Sequence, residues 1–333
     1  VSSSYFASGG GVHIEGGTNT LTNCSITDNT VSTSSSSELS SGGGVCIFNG
    51  TNMLTNCSIA GNTVSTPAKS CGGGVFIDGS GTNTLENCSI TGNTVSASSS
   101  NSYVSGSGVC IFNGTNILLG TMNITGNTAK VGSTSSSNNL YLLSGGPVAL
   151  SNGSDSLSTS SKIGVTVGDA PTASENMQFA TDATEAMKAC FTPDEANREV
   201  IYANGGLYLK LYYDVIYQSK NVFYTDEACS SANKISDITT LSTAVKYAKT
   251  VSFVGSYEAT SDETIAVPAG KTTTFLRSKK FTNYSMMDIR SATVKILVNY
   301  GNSKLICDGS NVNTTGAKGS MVYLDNNALS RLY

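Results

Sequence analysis

The chain of 333 residues has no tryptophan, a single histidine and charges on only 13% of its residues. Without tryptophan, a ring that sugar-stacking platforms often use is missing, although tyrosines after residue 200 (Tyr202, Tyr208, Tyr212, Tyr213, Tyr217 and Tyr224) leave room for glycan or protein contacts. With His13 alone, no Ser-His-Asp or Cys-His set with a spare base is expected. Basic side chains are scarcer still in the first half. Residues 1–150 carry only Lys69 and Lys130, against Glu15, Asp28, Glu38, Asp78 and Glu86. No basic patch results, so nucleic acid is excluded as a partner. No run of about 18 apolar residues occurs, so no membrane span is expected. Neither a C-x-x-C pair nor a Cys/His cluster points to zinc, and no metal or cofactor is expected. Val1 is neither an initiator methionine nor the start of a leader, so a mature product or a segment of a longer chain is expected.

What the chain does have is a repeat. Residues 21–31 read L-T-N-C-S-I-T-D-N-T-V. They return as L-T-N-C-S-I-A-G-N-T-V at 54–64, as L-E-N-C-S-I-T-G-N-T-V at 85–95, and more loosely as L-G-T-M-N-I-T-G-N-T-A at 119–129. A period of this length is the mark of stacked units. Four columns hold still: Leu21, Leu54, Leu85 and Leu119; Cys24, Cys57, Cys88 and then Met122; Ile26, Ile59, Ile90 and Ile124; Asn29, Asn62, Asn93 and Asn127. The unit is too short and too rich in Gly, Asn, Ser and Thr for helix pairs. Cys and Ile two apart share one face of a strand. The following Asn tolerates the left-handed conformation of a sharp corner. Turned inward, it can bond the next copy's Asn and stay satisfied. The expectation is an all-β, right-handed parallel β-helix with coils of about 31–34 residues, as read from this spacing.

A second strand precedes each copy: G-G-G-V-H-I at 9–14, G-G-G-V-C-I at 42–47, G-G-G-V-F-I at 72–77 and G-S-G-V-C-I at 106–111. Val and Ile should face in, and His13, Cys46, Phe76 and Cys110 out. These glycines serve bends and close approach of coils. No Lys-Ser/Thr follows them and no helix opens after them, so they are not a phosphate loop. Serine-rich loops at 32–41, 65–70 and 96–105, with a related segment at 132–137, are expected to fringe one edge. The repeat fades after Ala129, and 17 of the 19 basic residues lie beyond residue 150. Three regions are therefore expected: a β-helix at 1–165, a capping α+β region at 166–250, and strands at 251–333 that restart a β-helix.

Three chemistries remain to be weighed. Stacked Cys24, Cys57 and Cys88 read first as buried free thiols, although coil spacing of about 4.8 Å also permits a bond between coils. Cys190 and Cys229, outside the repeat, are a candidate disulfide. Glu15 and Asp78 share a column two coils apart, about 9–10 Å, with Phe48 between them. That spacing suits an inverting glycosidase pair, but no basic residue accompanies it. Sequons include Asn49, Asn113, Asn283 and Asn313, candidates for N-glycosylation.

The G-G-G-V-x-I and L-x-N-C-S-I-x-x-N-T-V units resemble the repeats of the polymorphic outer-membrane-protein type, within the pectin-lyase-like right-handed β-helix class of surface adhesins. Ile stands where that second motif usually has Phe. The resemblance implies an extracellular binding or architectural protein. Residues 318–324 (K-G-S-M-V-Y-L) and 327–332 (N-A-L-S-R-L) look like a degenerate coil, and 1–11 looks like its missing half. An assembly edge is therefore expected. Val1, Tyr5 and Phe6 lie on one side. Met321, Tyr323, Leu324, Leu329, Leu332 and Tyr333 lie on the other. Head-to-tail stacking would then build a fibre, either of separate subunits or of tandem repeats. Alternatives are a monomeric adhesin for glycans or a host surface, and a polysaccharide lyase or hydrolase.

Overall fold

The structure, a computed structural model, describes residues 2–3, 7–34, 39–67, 69–98, 103–143, 146–172, 175–259, 263–268, 271–278, 280, 285–289, 294–298, 304–308, 320–324 and 330–332. For Ser2–Ser3, Tyr103, Ser285, Met286 and the strands beyond Met287, Leu305 excepted, only the backbone is described.

The chain divides into two compact units. The first comprises Val1–Pro171 and Glu175–Lys210, the second Thr172–Ser174 and Leu211–Tyr333. The first compact unit reaches Lys210, and parallel pairing in it continues past residue 165 as far as Pro193. Lys162–Val167 pairs in parallel with Leu140–Leu142, and Phe191–Pro193 pairs in parallel with Lys162–Val167. Charge changes at 150, but stacking continues because the inward positions remain apolar.

In the first unit, like side chains stand above one another. Val12, Val45, Val75, Val109, Leu140 and Val165 are in register, as are Ile14, Ile47, Ile77, Ile111, Leu142 and Val167. Ile26, Ile59, Ile90, Ile124 and Ile163 form a third column. These columns form one continuous core, and each fully buried aliphatic side chain contributes about 1.5–3 kcal/mol. The leucine column is Leu21, Leu54, Leu85 and Leu118, not Leu119. The sequence spacing misleads because the coil at 115–129 has one extra residue, Thr121, between its corner and Met122. Gly120 takes the left-handed corner there, at φ 61°.

Two left-handed positions turn each coil after its leucine, and a third, at Gly9, Gly42, Gly72 and Gly106 (φ 59–66°), opens each glycine run. Asn23, Asn56 and Asn87 hold the first, at φ 52–56°, and Asp28, Gly61, Gly92 and Gly126 hold the second, at φ 57–68°. The ladder asparagines come just after this second corner rather than forming it. At the glycine runs the requirement is space. A Cβ on Gly44 would lie 2.7 Å from the carbonyl oxygen of Gly74 in the next coil.

The serine-rich excursions do not simply fringe the solenoid. They return as the parallel strands Leu39–Ser41, Lys69–Cys71 and Tyr103–Ser105. Leu39 and Cys71 pack with Cys46, Phe76, Cys110 and Tyr141 in a second buried cluster. The column expected to face solvent is therefore internal, except at His13. The far end of this unit is closed by antiparallel pairing. Thr134–Ser137 folds back on Thr128–Val131, and Gly206–Leu211 on Met177–Thr181. Antiparallel neighbours stop a parallel stack from growing at that edge.

The second unit restarts parallel stacking without the sequence repeat. Tyr213–Ser219, Ala248–Phe253, Thr272–Arg277 and Lys304–Asp308 form one stack. Tyr257–Ala259, Ser285–Ile289 and Ser320–Leu324 form a second, and Glu263–Val267, Val294–Val298 and Ser330–Leu332 a third. Three strands in order thus make one coil. The helix Leu241–Tyr247 covers the start of this core with Leu241, Ala244 and Val245. The Thr240 hydroxyl accepts from Thr243 N at 3.1 Å, and Glu263 accepts from Ser242 N at 2.6 Å. Both bonds satisfy donors that the first helical turn leaves open.

Candidate functional site

The most regular polar feature is a ladder inside the first unit. Asn29 Nδ2 donates to Asn62 Oδ1, Asn62 Nδ2 to Asn93 Oδ1, and Asn93 Nδ2 to Asn127 Oδ1, each at 3.0 Å. The backbone N–H of each donor residue reaches the same oxygen at 2.9–3.0 Å. Asn127 continues to Asn139 Oδ1 at 3.0 Å. Asn139 then donates its backbone N–H to Asp194 at 2.7 Å and its side-chain amide at 2.5 Å. A carboxylate accepts but cannot pass an amide onward, so Asp194 ends the ladder. Burial holds its carboxyl above the ordinary range, outweighing the bonds from Asn139 and Thr166 that pull it down.

A second ladder escaped sequence reasoning. Asn19 donates to Asn52, Asn52 to Asn83 and Asn83 to Asn116, at 2.9–3.1 Å. Its signal was present, since Thr-Asn precedes each column leucine by two residues in all four coils.

The thiol column stands beside these ladders. Cys57 and Cys88 are buried, while Cys24, in the coil of residues 7–33, is partly exposed. Cys57 Sγ donates to Leu21 O at 3.4 Å, and Cys88 Sγ to Leu54 O at 3.3 Å. Burial raises the Cys88 thiol to about 11, and likewise that of Cys46. Neither is a nucleophile at neutral pH. Cys190 and Cys229 do not pair. Cys190 packs in the core of the first unit and donates to Ser158 O at 3.5 Å, whereas Cys229 lies in the second unit, and both are free.

Glu15 and Asp78 do not converge. The Glu15 side chain is 82% exposed and lies 3.2 Å from His13 Nε2. Asp78 Oδ1 accepts from Gly79 N and from Asn113 Nδ2, both at 2.7 Å. Between them Phe48 belongs to an aromatic series, 5.8 Å from His13 and 5.7 Å from Phe76. His13 also touches Ser8 Oγ through Nδ1 at 3.2 Å. Ser8, His13 and Glu15 thus form a surface chain that the scarcity of histidine had argued against. The nearby N–H groups of Gly9, Gly10 and Gly11 all donate to carbonyls of the next coil.

The first unit has several concavities, among them these two. A groove of about 430 Å³ crosses three coils and is lined by Ser32, Ser65, Ser96, Ser98, Thr33 and Thr66 with Pro67 and Ala97. A cleft of about 360 Å³ lies at the ladder end, with Asn139, Asp194, Lys162 and Thr192 among its walls. Among the described residues no cluster of His, Cys, Asp or Glu is arranged to hold a metal ion. No described helix is long and apolar enough to cross a membrane.

Of the sequons, Asn49 and Asn113 are exposed. Asn49 Oδ1 accepts from Ser80 N at 2.9 Å, and Asn113 is held by Asp78. Asn283 and Asn313 lie outside the described residues. So do Val1, Tyr5, Phe6, Leu329 and Tyr333 of the expected assembly edge. Met321, Tyr323 and Leu324 fall on the strand Ser320–Leu324, and Leu332 ends Ser330–Leu332.

No curated protein and no solved structure matches the chain. A family model described as a right handed beta helix region matches residues 1–163, and the fold is accordingly a right-handed parallel β-helix.

Proposed function

We propose that this chain is an extracellular structural or adhesive protein whose stiff solenoid joins others end to end at a cell surface. The observation that carries the reading is the pair of unbroken asparagine ladders running through a core of in-register aliphatic columns. Such a stack resists bending and local opening, because each rung supplies the hydrogen bonds of the next. The chemistry of these side chains also favours a non-catalytic role. Glu15 and Asp78 are separated by Phe48 and held by neutral or weakly basic neighbours. Near the Ser8–His13–Glu15 chain, the N–H groups of Gly9, Gly10 and Gly11 are spent on the next coil and so offer nothing to a developing oxyanion. The hydroxyl-lined groove favours a second reading, an adhesin that binds glycans.

Surface labelling of intact source cells with antibody against the chain tests location, and intracellular signal alone would overturn it. Incubation with pectin-like polymers tests the absence of catalysis. Turnover that Glu15→Gln or Asp78→Asn abolishes would replace this reading with a hydrolase or lyase.

A further inference from the structure

The strands that return from the serine-rich excursions end five residues before an outward residue of the coil wall, and the two side chains touch. Ser41 Oγ lies 3.7 Å from Cys46 Sγ, and Ser105 Oγ lies 3.8 Å from Cys110 Sγ. In the coil between them the residue types are exchanged. Cys71 stands in register between Ser41 and Ser105. Phe76 stands in register between Cys46 and Cys110. The hydroxyl of the return-strand column is here a thiol, and it lies within hydrogen-bonding reach of the Cys110 thiol one coil on. Cys71 and Cys110 are both fully buried, and both belong to the cluster that the return strands enclose. Each has a strand paired on either side, so the pair lies well inside the stack.

The thiols of the inner column make the contrast. Cys57 and Cys88 precede the paired residues Ser58 and Ser89 and so stack one above the other. Their Cα–Cβ bonds run parallel, which keeps the Cβ atoms at the coil spacing of about 4.8 Å. A disulfide draws Cβ atoms to about 3.8 Å. These thiols are also turned to carbonyl oxygens, Cys57 to Leu21 and Cys88 to Leu54. Cys71 and Cys110 come instead from two different strand stacks, the return strands and the wall. Their thiols approach each other across the cluster, which is the relation a disulfide needs.

We propose that Cys71 and Cys110 are an oxidation site, where a disulfide ties the return strand Lys69–Cys71 to the wall strand Val109–Ile111 of the next coil. The oxidant is a small-molecule disulfide, with oxidised glutathione as the probe. The Cys71 thiolate attacks one of its sulfurs, breaks that S–S bond and releases one glutathione, leaving a mixed disulfide. The Cys110 thiolate then attacks the Cys71 sulfur, forms the protein S–S bond and releases the second glutathione. Two electrons and two thiol protons thus end on the two released glutathiones. Burial holds the Cys71 thiol well above its ordinary range, so the exchange belongs to folding, before the return strand closes over the pair. The bond pins the end of a serine-rich excursion to the body of the solenoid. It also restricts the unfolded chain, which stabilises the folded one. Neither end-to-end joining nor a surface location is needed for it.

The test is refolding of the full chain from urea with oxidised glutathione, or with reduced glutathione alone. Remaining thiols are then alkylated with iodoacetamide in denaturant, and the proteolytic peptides are read by mass spectrometry. A peptide pair joined through Cys71 and Cys110 is expected. Alkylation at those two sites should fall roughly tenfold relative to the reduced sample, while Cys57 and Cys88 stay alkylated. The urea midpoint of the bonded protein should lie above that of the reduced protein. Chain exported to the bacterial periplasm, an oxidising compartment, gives the same peptides without a refolding step. Cys71→Ser should remove both the cross-link and the shift in midpoint. It should fold, because serine already holds that place at Ser41 and Ser105, and circular dichroism checks this. Cys46→Ser should leave the cross-link in place. Full alkylation of Cys71 and Cys110 in the oxidised samples overturns the inference. A dominant bond from either of them to another cysteine overturns it too, as does a cross-link that leaves the urea midpoint unchanged.

Discussion

The coil at 7–33 and the coil at 39–66 carry nearly the same residues at the same positions, yet among the described residues their surroundings differ. Ile14 and Ile26 keep 8% and 7% of their surface, whereas Ile47 and Ile59 keep none. Asn29 makes the same bonds forward as Asn62 but receives none from behind among the described residues. His13 and Glu15 stand where the neighbouring coil has buried Cys46 and half-buried Phe48. A coil of this repeat is therefore not a folding unit. Its hydrogen bonds and its core are completed by a neighbour on each side, as expected for a solenoid.

Paired substitutions in these two coils sharpen the comparison. Ile59→Ala opens a void enclosed by coils above and below and should cost about 3–4 kcal/mol. Ile26→Ala, at an edge that can relax, should cost about 1–2 kcal/mol. Urea unfolding followed by circular dichroism measures both, and equal losses would contradict the contrast. Asn62→Ala leaves the backbone and side-chain amides of Asn29 without their acceptor and should cost about 2–3 kcal/mol. Asn29→Ala strands nothing behind it and should cost about 1 kcal/mol. Asp194→Ala removes the ladder's terminal acceptor and should cost about 1–2 kcal/mol, whereas Asp194→Asn keeps an acceptor and should cost less.

The smallest effect is a pH dependence. Burial raises the Asp194 carboxyl in the folded protein above its ordinary 3.8. Between those two values the folded protein holds a proton that the unfolded chain has lost. This group's contribution to stability therefore rises as pH falls through the folded value and levels off below the ordinary one. Subtracting the Asp194→Asn unfolding midpoint from that of the unaltered protein at each pH isolates the contribution. A flat difference would show that the carboxyl is not held up.

The fold was legible because identical side chains recur at fixed spacing, and in-register stacking follows from that alone. The thiol and first asparagine columns were legible for the same reason. The second ladder was legible in principle, through Thr-Asn before each leucine, but Asn next to turn glycines reads first as a loop. The leucine register slipped at Leu118 because the one-residue insertion at Thr121 hides in a corner that tolerates it. Burial of Cys46, Phe76 and Cys110 was not legible. Alternation tells which face of a strand is opposite the core, but not that a serine-rich excursion folds back to cover that face. The Ser8–His13–Glu15 contact depends on where the first glycine run bends. In the second unit the strands were visible, but their stacking order has no repeat to announce it.

The measurement that bears most directly on the central claim is electron microscopy of the purified protein at rising concentration. Rods that lengthen by end-to-end addition, at constant width and with one polarity, are the expected result. Isolated particles of uniform length at every concentration would contradict it.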